Sequence, residues 1–127
     1  MPYRLYRNND VDVSRATEEG DFDYPRARAG GLDALFMSIY IPADVDEAGE
    51  AKPFAEDLIE GVRNLTEDHD EKFALATCTT DVLSAKAEGL IAMPLGMENG
   101  GPIGGDLANL DHFRERGIRY ITLAHSR

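Results

Sequence analysis

Polar side chains follow three apolar stretches that have the pattern of buried β-strands. Glu98 follows IAMPLGM, His125 follows ITLA, and Cys78 lies between Thr77 and Thr79 after FALA. In folds of alternating strands and helices, ligands collect at the carboxyl ends of the strands, because loops meet there and side chains leave the packed interior. A carboxylate and an imidazole at one such edge are suitable ligands for a divalent metal ion.

Each of these residues also has a structural interpretation. Glu98 could cap the glycine-rich turn after it, and His125 could be a polar chain end. Cys78 is interpreted as a small buried residue, because no basic neighbour in the sequence favours its thiolate. A redox or nucleophilic function of Cys78 is therefore the least favoured hypothesis.

Other polar clusters favour surface positions. Residues 68–71, with the sequence DHDE, lie at a predicted helix end within an acidic run, which is typical of a solvated surface. His112 lies in a predicted helix between Asp111 and Phe113, close to Arg114, and a surface position is predicted for it. The glycine-rich run 100–105 lacks both the GxGxxG spacing and the Lys-Ser/Thr pair of phosphate-binding loops.

The elements that must position the candidate residues follow from hydrophobic periodicity. Strands are predicted over 32–41, 73–77, 90–97 and 118–123. Helices are predicted from Pro53 to about residue 68, from an N-cap at Thr80 through Ala87 to a stop at Gly89, and around Leu107, Leu110 and Phe113 with an end at Gly117. Helical crossovers between apolar strands predict an α/β fold with a parallel sheet and right-handed connections.

The length of 127 residues predicts a single domain over 1–127, with a loop-rich lead-in over 1–31. Within the lead-in, Asp21 to Pro25 is interpreted as a constrained extended segment. One cysteine excludes an internal disulfide and a cysteine-rich zinc site.

The composition of the chain limits the binding partners and the cellular location that we expect for it. The formal net charge of -11 would repel a phosphate backbone, so no nucleic-acid partner is expected. No apolar stretch approaches the roughly 18 residues that span a bilayer, and the first residues do not resemble a signal peptide. We therefore expect a soluble chain without a membrane partner, located in the cytoplasm.

Two segments resemble the renal (membrane) dipeptidase family of zinc peptidases. In DFDYPRARAGGLDALFMSIYIP, the pattern Asp-x-Pro-Arg-x-Arg-x-Gly-Gly leads into what is the second barrel strand in that family. The segment LIAMPLGMENGGPIGGDLANLDHFRERGIRYITLAHS is similar to the family's Glu-containing strand end, the helix after it, and the strand ending in Leu-Thr-Leu-x-His. The resemblance covers residues 21–126.

This resemblance implies a (β/α)₈ barrel in which two zinc ions hydrolyse dipeptides. By the same resemblance, Glu98 corresponds to the carboxylate that bridges the two metals, and His125 to the histidine that contacts the substrate. Asn99 stands where many relatives have glycine. The family's first-strand His-x-Asp pair, its two later zinc histidines and its late aspartate have no counterpart in this sequence.

A (β/α)₈ barrel takes about 250 residues, so this sequence corresponds to about half of one. We therefore expect the N-terminal part of a dipeptidase-like barrel that is inactive alone. We also expect it to pair with a second copy or with the missing part of the barrel. The alternative hypothesis is a non-catalytic, acidic α/β module that binds basic partners or associates with itself.

Overall fold

The computed structural model describes residues 1–8 and 11–123 as an α/β fold with one parallel sheet. The strands are β1 Met37–Tyr40, β2 Phe73–Ala76, β3 Ile91–Glu98 and β4 Ile118–Ile121. The helices are α1 Pro2–Arg7, α2 Tyr24–Ala29, α3 Ala43–Glu47, α4 Ala51–Asp68, α5 Thr79–Ala87 and α6 Ala108–Glu115, and a 3₁₀ turn spans Gly101–Ile103. The predicted fold class of parallel strands alternating with helices is confirmed.

Strand β3 lies at the centre of the sheet and is paired along both edges. β1 lies beside its residues 95–98, whereas β2 lies beside 91–94 and β4 beside 95–97. The Ile91 amide forms a hydrogen bond with a residue just before β2, and the Met97 carbonyl forms one with a residue just after β4. The Ala92 and Glu98 carbonyls instead form hydrogen bonds with residues on either side of β1. Because alternate backbone groups point to opposite edges, β2 and β4 share one edge of β3. Pairing on both edges and packing on both faces bury all of 91–97.

The two faces of the sheet pack against different helices. On one face, alternate residues of β1 and β3 meet α4, whose buried side chains recur at helical spacing. This core contains Met37, Ile39, Ala55, Leu58, Ile59, Val62, Phe73, Ile91, Met93, Leu95 and Met97. On the opposite face, Ala85 of α5 packs against Ala76 and Ala92. These small side chains allow the helix to approach the sheet closely.

Several element boundaries differ from the sequence predictions. The strand predicted over 32–41 is regular only over Met37–Tyr40, with an isolated bridge between Ala34 and Ala92. The N-cap of α5 is Cys78, and the prediction of Thr80 is wrong. The reason is Asp81, whose Oδ2 accepts hydrogen bonds from the amides of Thr77 (2.7 Å) and Cys78 (3.1 Å) and fixes the helix start two residues earlier.

The lead-in contains two six-residue helices that the polar pattern did not predict. Helix α1 packs against β1 and α4 through Tyr3, whose ring lies 5.6 Å from that of Tyr40 and 6.1 Å from that of Phe54. Helix α2 begins directly after Asp23, so the segment interpreted as extended is a helix start instead. Within residues 1–8 and 11–123, no helix is both long and apolar enough to cross a bilayer.

Candidate functional site

Glu98 is the last residue of β3 and lies at the carboxyl end of the sheet. Its carboxylate accepts a hydrogen bond from the hydroxyl of Ser38 on β1. Its backbone carbonyl accepts from the amide of Ile41, at 3.3 Å. Glu98 is partly exposed, whereas the seven residues before it are buried. The strand therefore holds this carboxylate rigidly at the point where the apolar interior ends.

The amino group of Met1 lies within electrostatic range of Glu98. Burial lowers the pKa of this amino group below its usual range, while the negative charge of Glu98 acts in the opposite direction.

Asn99 turns the chain away from the sheet directly after Glu98. Among the described residues it is the only non-glycine residue with a positive φ, of 95°. Its side-chain amide donates to the carbonyl of Ile41 at 3.1 Å, and its side-chain oxygen accepts from the amide of Gly101 at 2.6 Å. Its backbone amide donates to the hydroxyl of Thr122 at 2.7 Å. One residue thus connects the segments that follow β1, β3 and β4.

An aromatic surface lies next to Glu98 on the same face of the sheet. A side chain at Gly96 would collide with the ring of Tyr120, because an added Cβ would lie 2.1 Å from Tyr120 Cε1. The Tyr120 ring meets Phe36 edge-on, with ring centroids 5.1 Å apart. Phe36 is 54% exposed and Tyr120 is 40% exposed. This surface is open to a covering partner or to further chain.

The other candidate residues are not brought to Glu98. The last residue of β2, Ala76, aligns with Pro94 of β3 and not with Glu98, so the strand ends are staggered. Cys78 is exposed, which makes the predicted buried position wrong. It lines a cavity of about 500 Å³ that does not include Glu98. His125 lies outside the described residues.

The remaining two of the three histidines lie elsewhere in the structure. His69 precedes β2, at the amino end of that strand, and its Nε2 lies 3.8 Å from Asp12 Oδ1. His112 of α6 contacts the carboxylate of Glu56 on α4. Among residues 1–8 and 11–123, no group of three or more His, Cys, Asp or Glu side chains is arranged to hold a metal ion. A carboxylate such as that of Glu98 is a suitable ligand for a divalent metal ion.

Residues 1–127 match the membrane dipeptidase family, peptidase family M19. The chain belongs to this family. The resemblance seen in the sequence is thereby confirmed, and the family is one of metallopeptidases.

Individual family members are similar over nearly the whole chain. Dipeptidase ataJ of Aspergillus terreus is 29% identical over 134 residues, covering 97% of this chain and 32% of the relative. Dipeptidase aclJ of Aspergillus oryzae is 30% identical over 129 residues, covering 96% of this chain and 30% of the relative. The chain therefore spans about a third of the length of the curated relatives it matches.

Solved structures support the same assignment. The crystal structure of the metallopeptidase dipeptidase AC matches with a TM-score of 0.87 and 25% identity, covering 99% of this chain and 40% of that chain. A metallopeptidase from Rhodobacter sphaeroides, bound to a phosphinate mimic of the dipeptide L-Ala-D-Ala, matches in fold with a TM-score of 0.82 and 23% identity, covering 94% of this chain and 42% of that chain. The fold is part of the family's (β/α)₈-type barrel.

The motif around Asp23, one of the two that carry the family resemblance, has a structural role in this chain. Asp23 caps α2, because its Oδ1 accepts the Arg26 amide at 2.9 Å while its Oδ2 accepts Arg26 Nε at 2.6 Å and the Thr17 amide at 3.1 Å. These hydrogen bonds, led by that of the Arg26 amide, lower the pKa of Asp23 to about 2. A sequence signal was present, since Asp followed by Pro at the second helical position is typical of a helix start.

His112 also has a role that the sequence did not reveal. It was predicted to be a surface residue, but it connects α6 to α4 through Glu56, which in turn accepts Arg116 Nε at 2.8 Å. Burial alone would raise the pKa of Glu56, but the hydrogen bonds from His112 and Arg116 outweigh this effect and the pKa lies below its usual range. The partners are distant in sequence, so local patterns could not identify them.

Proposed function

We propose that this chain supplies one metal-bridging carboxylate and one substrate-contacting histidine to a zinc-dependent dipeptidase. Glu98 is the proposed metal ligand and His125 the proposed substrate contact, as the family resemblance implies. The observation that carries the proposal is the position of Glu98 at the carboxyl end of the buried strand β3. Zinc ions, when bound, would supply a hydroxide near neutral pH and polarise the peptide carbonyl.

The proposed role of Glu98 depends on charge and rigidity. A bridging carboxylate places negative charge between two cations, and a neutral side chain would leave the cations to repel each other. The hydrogen bond from Ser38 leaves the carboxylate fewer orientations than a surface glutamate has. His125 is proposed to donate a hydrogen bond to the developing oxyanion, a contact worth most in the transition state.

The substrate and the activity are proposed for a longer protein than residues 1–127. Each catalytic zinc commonly needs about three protein ligands. Two of the three histidines of the chain, His69 and His112, contact Asp12 and Glu56 and are unavailable to Glu98. We therefore propose that the chain alone hydrolyses dipeptides negligibly and that the complete ligand set includes residues outside it.

The experiment compares the 127-residue chain with a longer chain that adds residues at both ends. Each is assayed for hydrolysis of L-Ala-D-Ala and L-Ala-L-Ala with added zinc, after chelator treatment, and after zinc is restored. We expect activity only in the longer chain, lost with chelator and regained with zinc. A longer chain that folds and binds zinc but hydrolyses neither dipeptide would contradict the proposal.

One observation favours a second candidate, self-association without catalysis. Phe36 and Tyr120 form an exposed aromatic pair, and such a surface is commonly an interface. Sedimentation of the wild-type chain and of Phe36→Ser over a range of concentrations tests this candidate. We expect association of the wild-type chain that the substitution weakens, and a wild-type monomer at about 100 μM would exclude it.

A further inference from the structure

We propose that the groove between α1 and α4 is a docking surface for a basic, amphipathic segment of a partner protein. The groove consists of two adjoining cavities of about 590 Å³ and 410 Å³, which share Tyr6 and Asp57 as lining residues. It extends from α3 across α1 to the C-terminal half of α4. Glu98 does not line this groove, so the proposal does not depend on a metal site.

Apolar side chains form part of the groove lining. They come from α1, α3 and α4, and they include Leu5, Tyr6, Val45, Phe54 and Leu65. Tyr6 is 46% exposed, although its ring meets that of Phe54 edge-on with centroids 4.9 Å apart. Tyrosine is enriched among the residues that contribute most to binding at protein interfaces. We therefore expect Tyr6 to make the main apolar contact with the partner segment.

Carboxylates also line the groove, and its described lining residues include no lysine or arginine. The carboxylates are those of Asp12, Asp44, Glu50, Asp57, Glu60 and Asp68. Asp12 pairs with Arg15 and Glu60 with Arg116, whereas the other four have no ion-pair partner within residues 1–8 and 11–123. Uncompensated negative charge around apolar side chains attracts lysine and arginine and repels anionic partners. The charge of the groove thus favours a basic segment.

Gly61 leaves an open position in the groove lining. It lies in the interior of the 18-residue helix α4, where glycine is less favourable than alanine. A Cβ added at Gly61 would meet no atom within 4 Å. The packing of the described residues therefore does not require glycine here, whereas a partner segment that lies against the helix backbone would.

The probe is a fluorescein-labelled peptide of about 14 residues, with leucine at helical spacing and lysine elsewhere, which imitates a basic amphipathic helix. Fluorescence anisotropy with the 127-residue chain at about 0.15 M salt measures its binding. We expect a dissociation constant of about 10 μM. Two control peptides, with serine in place of leucine or glutamate in place of lysine, should each bind at least about tenfold more weakly.

Gly61→Lys is the variant that blocks the groove. Lysine favours helix formation and would lie four residues after Asp57, so α4 should keep its stability. The new side chain would place a cation where the partner's cation binds, and we expect the affinity for the probe to fall about tenfold or more. Tyr6→Ser tests the apolar contact and should also lower the affinity about tenfold. Thermal unfolding followed by circular dichroism checks that each variant is folded.

Asp111→Asn is the matched control for Gly61→Lys. It also makes the net charge one unit more positive, but Asp111 lies exposed on α6, outside the groove. We expect its affinity for the probe to stay within about twofold of the wild type. Equal losses of affinity in the two variants would show attraction by the net charge alone and would overturn the proposal. Equal binding of the serine peptide and the probe would overturn it as well.

Nuclear magnetic resonance distinguishes the proposed partner from a second copy of the chain. The amide resonances of α1 and α4 should shift when the probe is added and stay constant when the chain alone is diluted. Shifts of these resonances on dilution would assign the groove to a second copy and overturn the proposal. No binding of the probe at about 1 mM, or unchanged affinity in Gly61→Lys, would do the same. If Gly61→Lys does not fold, Asp57→Asn replaces it, with an expected loss of about threefold.

Discussion

Asp23 and Glu98 are both carboxylates within the motifs that carry the family resemblance, yet their surroundings differ. Asp23 is fully buried, and its two oxygens accept hydrogen bonds from residues within six positions in the sequence. Glu98 is partly exposed at a strand end, and Ser38, which donates a hydrogen bond to its carboxylate, is 60 positions away. A carboxylate whose oxygens accept hydrogen bonds from residues nearby in the sequence stabilises the fold. A carboxylate that the tertiary structure places at the edge of the sheet is suited to bind an external ligand.

The largest effect should come from removing the charge of Glu98. In the longer chain, we expect Glu98→Gln to weaken Zn²⁺ binding roughly 100-fold or more, because a neutral amide cannot offset the repulsion between two cations. Isothermal titration with Zn²⁺ measures this change. In the 127-residue chain, the same substitution should shift the unfolding midpoint by only about 2 °C or less, since a partly exposed side chain contributes little to stability.

Glu115→Gln is the matched control for Glu98→Gln. It makes the same change of charge on the exposed surface of α6. If both substitutions weaken Zn²⁺ binding equally, the effect arises from net charge and the contrast between Asp23 and Glu98 no longer holds.

For Asp23 we expect the opposite of the result for Glu98, namely a loss of stability without a loss of Zn²⁺ affinity. In Asp23→Asn, the new amide group would face the Thr17 amide and Arg26 Nε, which are both donors, so the cap and its neighbours lose their acceptor. We expect the unfolding midpoint to fall by roughly 5–10 °C, with Zn²⁺ affinity in the longer chain unchanged. Thermal unfolding followed by circular dichroism measures the first effect.

Asp21→Asn provides the comparison, because Asp21 is exposed and two residues from Asp23. It should leave the midpoint within about 2 °C of the wild type. A midpoint that falls as far in Asp21→Asn as in Asp23→Asn would mean that the acidic character of the segment, and not the helix cap, stabilises this region.

Whether a feature of the fold or of the site could be predicted from the sequence depends on how far apart along the chain the interacting residues lie. The parallel α/β fold, α4 and the position of Glu98 at a strand end follow from local periodicity and were predicted. The stagger of β2 and β4 along β3 was not, because register depends on how α5 and α6 pack. Helix α2 was missed although its signal is local, since the segment around Pro25 was interpreted as extended.

Individual site residues show the same limit. The exposure of Cys78 follows from its position at the start of α5, which the Asp81 carboxylate fixes. The contact between His112 and Glu56 joins residues 56 positions apart, and the ties of Asn99 to Ile41 and Thr122 span 58 and 23 positions. No local pattern contains these pairings, so they appear only in the folded structure.

A smaller effect should come from the contact between α4 and α6. Glu56 accepts from Arg116 and contacts His112, with a side chain that is 27% exposed. We expect Glu56→Gln to lower the free energy of unfolding by about 1 kcal/mol, because a partly buried charge-assisted pair is weakened. Glu60→Gln is the control, since Glu60 also contacts Arg116 but its side chain is 56% exposed, and we expect about 0.5 kcal/mol or less. Urea denaturation measures the free energy of unfolding of both variants. Equal losses in Glu56→Gln and Glu60→Gln would show that the greater burial of Glu56 does not strengthen its contacts.

The last effect concerns pH and again separates Asp23 from the other carboxylates. The pKa of Asp23 is lowered to about 2 in the folded chain, against an ordinary value of about 3.9 in an unfolded one. The unfolded state therefore binds the proton more readily, so the stabilisation by this group is complete above about pH 4 and is lost as the pH falls toward 2. Asp23→Asn cannot be protonated there, so its midpoint should converge with that of the wild type between pH 5 and pH 2. If the difference between the two unfolding midpoints stays constant over this range, Asp23 stabilises the fold through the geometry of its hydrogen bonds and not through its charge.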